Sequence, residues 1–318
     1  MPSSRSIHVL AVATTLVAGL AGPVHAQLNT QHVKGSFGVK GGSQPPPGEY
    51  AIAPLLYFYS TDDIRNKNGD QVPINANIDA ALFGAGVAVV TEKTILGGYY
   101  GFNVLIAGAN NRLQGTEIDQ NPGAGITDSV LCPFQLGWHK KRGDALVYYQ
   151  LYLPTGRYED GASNNTGMGM WGQEIGGGGT VYLTDDRKYH AATVVSLNLQ
   201  SDKKDSTTHV GNEMNFEGGV GGDFLKGGLV AGLAYYSAFK ISDDRIEVGH
   251  LPQRLPLNRS NTFGLGPDIT LTIAKANTVY GFVNVKYFWE VYARTTTRGG
   301  GLLISATFPF KPIHIPTP

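Results

Sequence analysis

The side chains that most often do chemistry are present in this chain but do not gather into a working constellation. His139, His190, His209, His250 and His314 fall in or beside turns, loops and the carboxyl-terminal tail, and no pair has the close spacing of a zinc helix motif. No metal and no cofactor is expected. Serine, histidine and aspartate all occur, but no Gly-x-Ser-x-Gly elbow does, so the chain does not read as an enzyme. Residues 176–179 are four consecutive glycines, yet neither a lysine nor a helical pattern follows, which excludes a phosphate cradle. A strand bare of side chains there leaves space or lets another segment approach, and the same holds for Gly218-Gly219 and Gly221-Gly222. Asp62, Asp63, Asn66, Asn68 and Asp70, with Gly69, have a calcium-loop composition, but no glutamate closes the pattern, which leaves a solvated loop.

Another group of residues has a more informative spacing. Glu217, Asp223, Asp268, Lys286 and Glu290 fall on the polar side of segments that alternate apolar and polar residues, and Tyr148, Tyr152, Tyr236, Tyr280, Phe282 and Phe288 share that side. Such charges could line a permeation path, hold a plug by ion pairing, or simply pair across strands in a hydrated interior. The aromatics could offer a greasy path to an apolar solute or pack against an inserted segment.

Strands must position these residues. In 260–273, Phe263, Leu265, Pro267, Ile269, Leu271 and Ile273 alternate with Thr262, Gly264, Gly266, Asp268, Thr270 and Thr272, and a period of two means a strand. Similar segments occupy 49–60, 77–91, 98–109, 125–139, 144–153, 170–183, 189–200, 212–225, 228–240, 277–292 and 299–310, twelve strands in all. Each is long enough to cross a membrane at a tilt. Connections 61–76, 110–124, 154–169, 201–211 and 241–259 are long and alternate with short ones at 92–97, 140–143, 184–188, 226–227 and 274–276, while 293–298 is intermediate. That parity belongs to an antiparallel transmembrane β-barrel with tight periplasmic turns and extended outer loops. Twelve strands enclose more space than an apolar lining could fill, so the apolar faces meet lipid and the polar faces the lumen. Tyr57, Tyr59, Trp138, Tyr287 and Trp289 fit aromatic girdles at the membrane interfaces. Pro133 within a strand requires a bulge.

Composition agrees with this all-β, closed-barrel reading. Among 318 residues there are 43 glycines and only 16% charged residues, while 25 basic and 25 acidic side chains balance. That neutrality argues against a nucleic-acid partner. The one cysteine, Cys132, cannot form an intramolecular disulfide. Arg5 and His8 precede an apolar run and Val24-His25-Ala26 offers a cleavage site, so 1–26 reads as a signal peptide. Residues 27–48 are polar, glycine-rich and without period, a periplasmic leader or plug. The barrel is expected over 49–310, with a tail at 311–318. Its partners would be outer-membrane lipid and lipopolysaccharide, and the barrel assembly machinery.

The run Ile126-Thr127-Asp128, then Pro133, Leu136-Gly137-Trp138 and Leu153-Pro154-Thr155-Gly156-Arg157-Tyr158-Glu159, resembles the central signature of the outer-membrane family named after the meta-pathway of phenol degradation. Asn164-Asn165-Thr166-Gly167 with Trp171, Gly264-Leu265-Gly266-Pro267 and Phe308-Pro309-Phe310 extend the likeness over roughly 48–310. The resemblance implies a channel that takes up hydrophobic small molecules, aromatic ones included, similar to the fatty-acid and hydrocarbon uptake barrels. A general polar pore or structural barrel, and less so an outer-membrane lipid enzyme, remain the other readings.

Overall fold

The computed structural model describes residues 30–314 apart from 74, 116–118, 161, 207, 249–250 and 258, so the expected signal peptide lies outside the described residues. Twelve long strands carry the fold: β1 (Gly48–Thr61), β2 (Ala76–Ile95), β3 (Gly98–Gly115), β4 (Ser129–Lys140), β5 (Gly143–Leu153), β6 (Gly172–Tyr182), β7 (Tyr189–Gln200), β8 (Glu213–Phe224), β9 (Leu229–Lys240), β10 (Asn261–Lys275), β11 (Thr278–Arg294) and β12 (Gly300–Pro309). Each pairs antiparallel with its sequence neighbours, and β1 pairs with β12, so the sheet closes on itself. Closure leaves no strand edge in the barrel, which is what a strand protein must achieve in lipid. The long connections share one end, here the outer end, and the short turns share the other.

Alternation sorts the side chains as the pleat demands. Val220, Leu233, Ile269 and Leu271 are exposed on the outside, whereas Asn215, Glu217, Thr262 and Asp268 are buried within. Leu233 stands between Val220 and Pro267 on neighbouring strands, in the middle of the apolar wall. Leu233→Arg should therefore cost about 2–4 kcal/mol in unfolding experiments from lipid vesicles, as a basic side chain near the bilayer midplane does.

Three local departures from the expected pattern have physical causes. In β1 the register to both neighbours shifts between Ile52 and Leu55, around Ala53-Pro54. The bulge flips the alternation, so Tyr57 and Tyr59 point into the lumen rather than joining a girdle; Tyr59 donates a hydrogen bond to Glu290 Oε2 at 2.7 Å. The bulge required by Pro133 is present, with the β4–β5 register shifting between Leu131 and Phe134. The connection expected as a plain loop over 241–259 contains a hairpin of Asp244–Val248 with Leu251–Leu257. Pro252 and Pro256 hide that hairpin from a propensity reading, but a two-stranded ribbon has open edges where proline is tolerated. Past β12 the tail pairs again, Ile313 and His314 adding to the start of β11.

Candidate functional site: the lumen and the segment threaded through it

Residues 30–47 run along the inside of the barrel. At the outer end Thr30 Oγ1 donates to Glu213 Oε1 at 2.8 Å, and at the short-turn end Ser43 Oγ donates to Asp144 Oδ2 at 2.8 Å. Tyr50 OH then donates to Pro46 O at 2.6 Å as the chain turns back into β1. The described chain thus begins at the outer end, while β1 still starts at the short-turn end.

Wall side chains hold this segment through its backbone. Glu217 is the main acceptor, taking Gly35 N–H at 2.7 Å on one oxygen and Phe37 N–H at 2.8 Å and Ser36 Oγ at 3.1 Å on the other. The His32 ring lies between two carboxylates, with Nδ1 2.9 Å from Glu174 Oε2 and Nε2 2.9 Å from Glu217 Oε1. Glu174 also accepts from Tyr148 OH and from Tyr152 OH. Lower down, Asp268 accepts Val39 N–H at 2.9 Å while Lys286 Nζ donates to Gly35 O and Ser36 O. Lys40 pairs with Asp223 at 2.7 Å. The segment's own turns, Ser36 N–H to Val33 O, Gly41 N–H to Gly38 O and Ser43 N–H to Lys40 O, satisfy only part of its backbone, so the bonds to the wall are a condition of burying the rest.

Glycines make room for it. A side chain at Gly42 would overlap the Gly179 backbone, so two chains pass at a distance only glycine allows. A methyl at Gly219, Gly221 or Gly232 would stand within 3.2 Å of Val39, whose side chain those three glycines receive. Phe37 packs on Tyr148 with ring centroids 5.6 Å apart.

A second buried group adjoins the inserted segment: Glu290 accepts from Tyr59 OH, from Tyr236 OH and from Gly299 N–H, Phe288 lies 5.1 Å from the Tyr236 ring, and Val39 packs into one cluster with Tyr236 and Phe288. The signature residues form a third, at the outer rim. Asp128 accepts Gly156 N–H at 3.2 Å on Oδ1, and Met168 N–H at 3.0 Å and Gln31 Nε2 at 2.9 Å on Oδ2. Thr155 Oγ1 accepts from Ser129 N–H at 2.9 Å and donates to Thr127 O. Lys203 Nζ donates to Met168 O at 3.1 Å. Burial raises the Asp128 carboxyl above its usual range against the opposing pull of its donors, and burial holds the Lys203 ammonium down to about 8. Trp138 is at the opposite end, donating from Nε1 to Leu96 O.

One stretch of inner wall has another character. Leu55, Leu82, Leu105, Ala107 and Val130 are half-buried and adjoin across β1 to β4, where Leu55 pairs with Gly84, Gly84 with Ala107, and Leu105 with Gly86 and Val130. Their outward neighbours Phe83, Val104 and Ile106 are exposed, which fixes the inward direction of this row. The inner face is therefore not polar on every strand. The segment's contacts to Glu217, Asp268 and Lys286 lie on β8 to β11, across the lumen, while Gln44 near its lower end lies against Gly101 of β3 and Gly137 of β4.

Of the residues expected on the inner face, Glu217, Asp223, Asp268 and Lys286 meet the inserted segment, Tyr148 packs on its Phe37, Tyr152 reaches it through Glu174, and Tyr236, Phe288 and Glu290 form the neighbouring group. Tyr280 is 45% exposed and Phe282 half-buried, outside both groups. Sequence reasoning missed Glu174, Glu213, Asp144 and His32. Glu174 was within reach, since it precedes Gly176 and Gly178 on one face of a period-two strand. Among the described residues no group of three or more His, Cys, Asp or Glu could hold a metal ion.

A family model described as "Putative MetA-pathway of phenol degradation" matches residues 61–306. No curated protein matches the chain. Among solved structures the chain is similar to an outer membrane channel from Pseudomonas putida F1, at 13% identity, with 85% of this chain and 97% of that one covered and a TM-score of 0.69. The transport unit of the autotransporter AIDA-I from Escherichia coli matches less well, at 9% identity over 84% of this chain and 92% of that one, with a TM-score of 0.48. The TodX monoaromatic hydrocarbon channel gives 12% identity over 86% and 97%, with a TM-score of 0.41. At these identities the first likeness concerns the fold, and the other two are too distant to support an argument.

Proposed function

This chain belongs to the phenol meta-pathway family of bacterial outer-membrane barrels, and from that premise we propose that it is a channel for small hydrophobic solutes, aromatic ones among them, kept closed to ions by residues 30–47. The observation that carries the solute class is the apolar inner row of Leu55, Leu82, Leu105, Ala107 and Val130, facing the lumen across from the leader's contacts to Glu217, Asp268 and Lys286. Uncharged solutes gain by leaving water along such a surface, whereas ions lose hydration there. The leader occupies Glu217, Asp268 and Lys286, the very charges that an aqueous pore would use. That occupancy favours a selective channel over a general polar pore. The outer membrane channel from Pseudomonas putida F1 shares the fold, and we take this protein to be non-enzymatic.

Protein reconstituted in liposomes should speed entry of a labelled aromatic compound relative to empty vesicles. Leu105→Glu would place a hydrated charge on the apolar row and should slow that entry by about tenfold, the loss that about 1.4 kcal/mol represents. No acceleration by the native protein across a broad panel of apolar solutes would contradict the proposal.

A further inference from the structure

The leader is not held evenly along its length. In its middle, Glu217, Asp268 and Lys286 bind successive backbone groups of residues 35 to 39. At its outer end Thr30 reaches Glu213, and the Gln31 amide donates to Asp128 Oδ2 and, at 2.9 Å, to Met170 O. The wall around that end gains little from it. Both amide atoms of Asn198, Gln200 and Asn215 are buried without a hydrogen-bond partner, and so is Gln31 Oε1. Buried polar atoms strongly favour a partner, so water entering beside a lifted outer end would satisfy atoms that the seated leader leaves unmet. Lifting the middle would instead strip Glu217 of all its leader donors at once.

Asp128 stands where the leader meets the outside. Its other donors, Gly156 N–H and Met168 N–H, belong to the long connection between β5 and β6, and Thr155 ties that connection to Ser129 at the start of β4. We propose that the Gln31–Asp128 hydrogen bond is the outer latch of the leader, that release starts at this end, and that the signature residues around Asp128 serve to position the latch. Asp128 is thus a positioning residue that links the outer loops to the leader, and anything that moves those loops acts on the channel through it. The proposal rests on reading the leader as the plug.

Planar-bilayer recordings of four variants test it: leader deletion, Gln31→Ala, Gln31→Glu, and Gln31→Glu combined with Asp128→Asn. Gln31→Ala loses the bond to the Asp128 carboxylate together with that to Met170 O, and transient openings should become about tenfold more frequent or more. Gln31→Glu, which sets carboxylate against carboxylate, should open more often still, and the added Asp128→Asn should bring it back toward native, since the asparagine amide can donate to the new acid. Folded-barrel migration on unheated gels should stay native in both Gln31 single variants, because Gln31 takes no part in the strand ladder. Openings in the deletion but none beyond native in the Gln31 variants overturn the latch alone. A silent deletion overturns the plug reading and the latch with it.

Discussion

Deleting residues 27–47, so that the expected signal segment joins Gly48 directly, should turn a barrel that passes almost no current into one that conducts in large, steady, ohmic steps. A twelve-stranded wall encloses more room than its own inward side chains fill, and here His32, Phe37 and Val39 of the leader occupy that room. The vacated lumen would be lined by Asp144, Glu174, Glu213, Glu217, Asp223 and Asp268, acids that the leader now engages, with Lys286 and His190 as bases among those contacts. The pore should therefore prefer cations. Reversal potentials in a salt gradient measure this, and a native chain that already conducts like the deletion would remove the leader from the account.

Glu217→Ala should reproduce much of that opening with one side chain. The substitution leaves Gly35 N–H, Phe37 N–H and Ser36 Oγ without their acceptor and takes one carboxylate from His32. Each buried donor left unpaired costs about 1–3 kcal/mol, enough in sum to compete with the seating of a short segment. Frequent, long openings are expected, whereas Glu217→Gln, which still offers one carbonyl oxygen, should lie between the variant and native. Heat-modified gel migration should stay that of a folded barrel, because the β8 ladder to β7 and β9 uses backbone groups that the change leaves alone. An Ala variant as silent as native would mean that Glu217 does not hold the leader.

The barrel was legible because lipid imposes a period of two on every strand that crosses it, and Phe263 to Ile273 display that period without interruption. Tyr57 and Tyr59 were misplaced because the one extra residue at Ala53-Pro54 reverses the parity of everything after it, and a bulge leaves no periodic mark of its own. The period of two puts Glu217, Asp268 and Lys286 on one face, but it says nothing of their partners, since residues 35 to 39 lie 180 or more positions away and carry no pattern that points to them. The glycine run at 176–179 was open to two readings, and the contact of Gly42 with Gly179 selects close approach of a second segment. Asp128 and Thr155 stood out as parts of a signature, yet their role depends on loops that meet only in three dimensions.

Amide hydrogen exchange of the folded protein in lipid nanodiscs tests most directly whether the leader fills the lumen. Backbone N–H groups of Gly35, Phe37 and Val39, donated to Glu217 and Asp268, should exchange as slowly as those of the surrounding strands. Exchange of the same groups at the rate of a free peptide, with the strands still protected, would contradict the account.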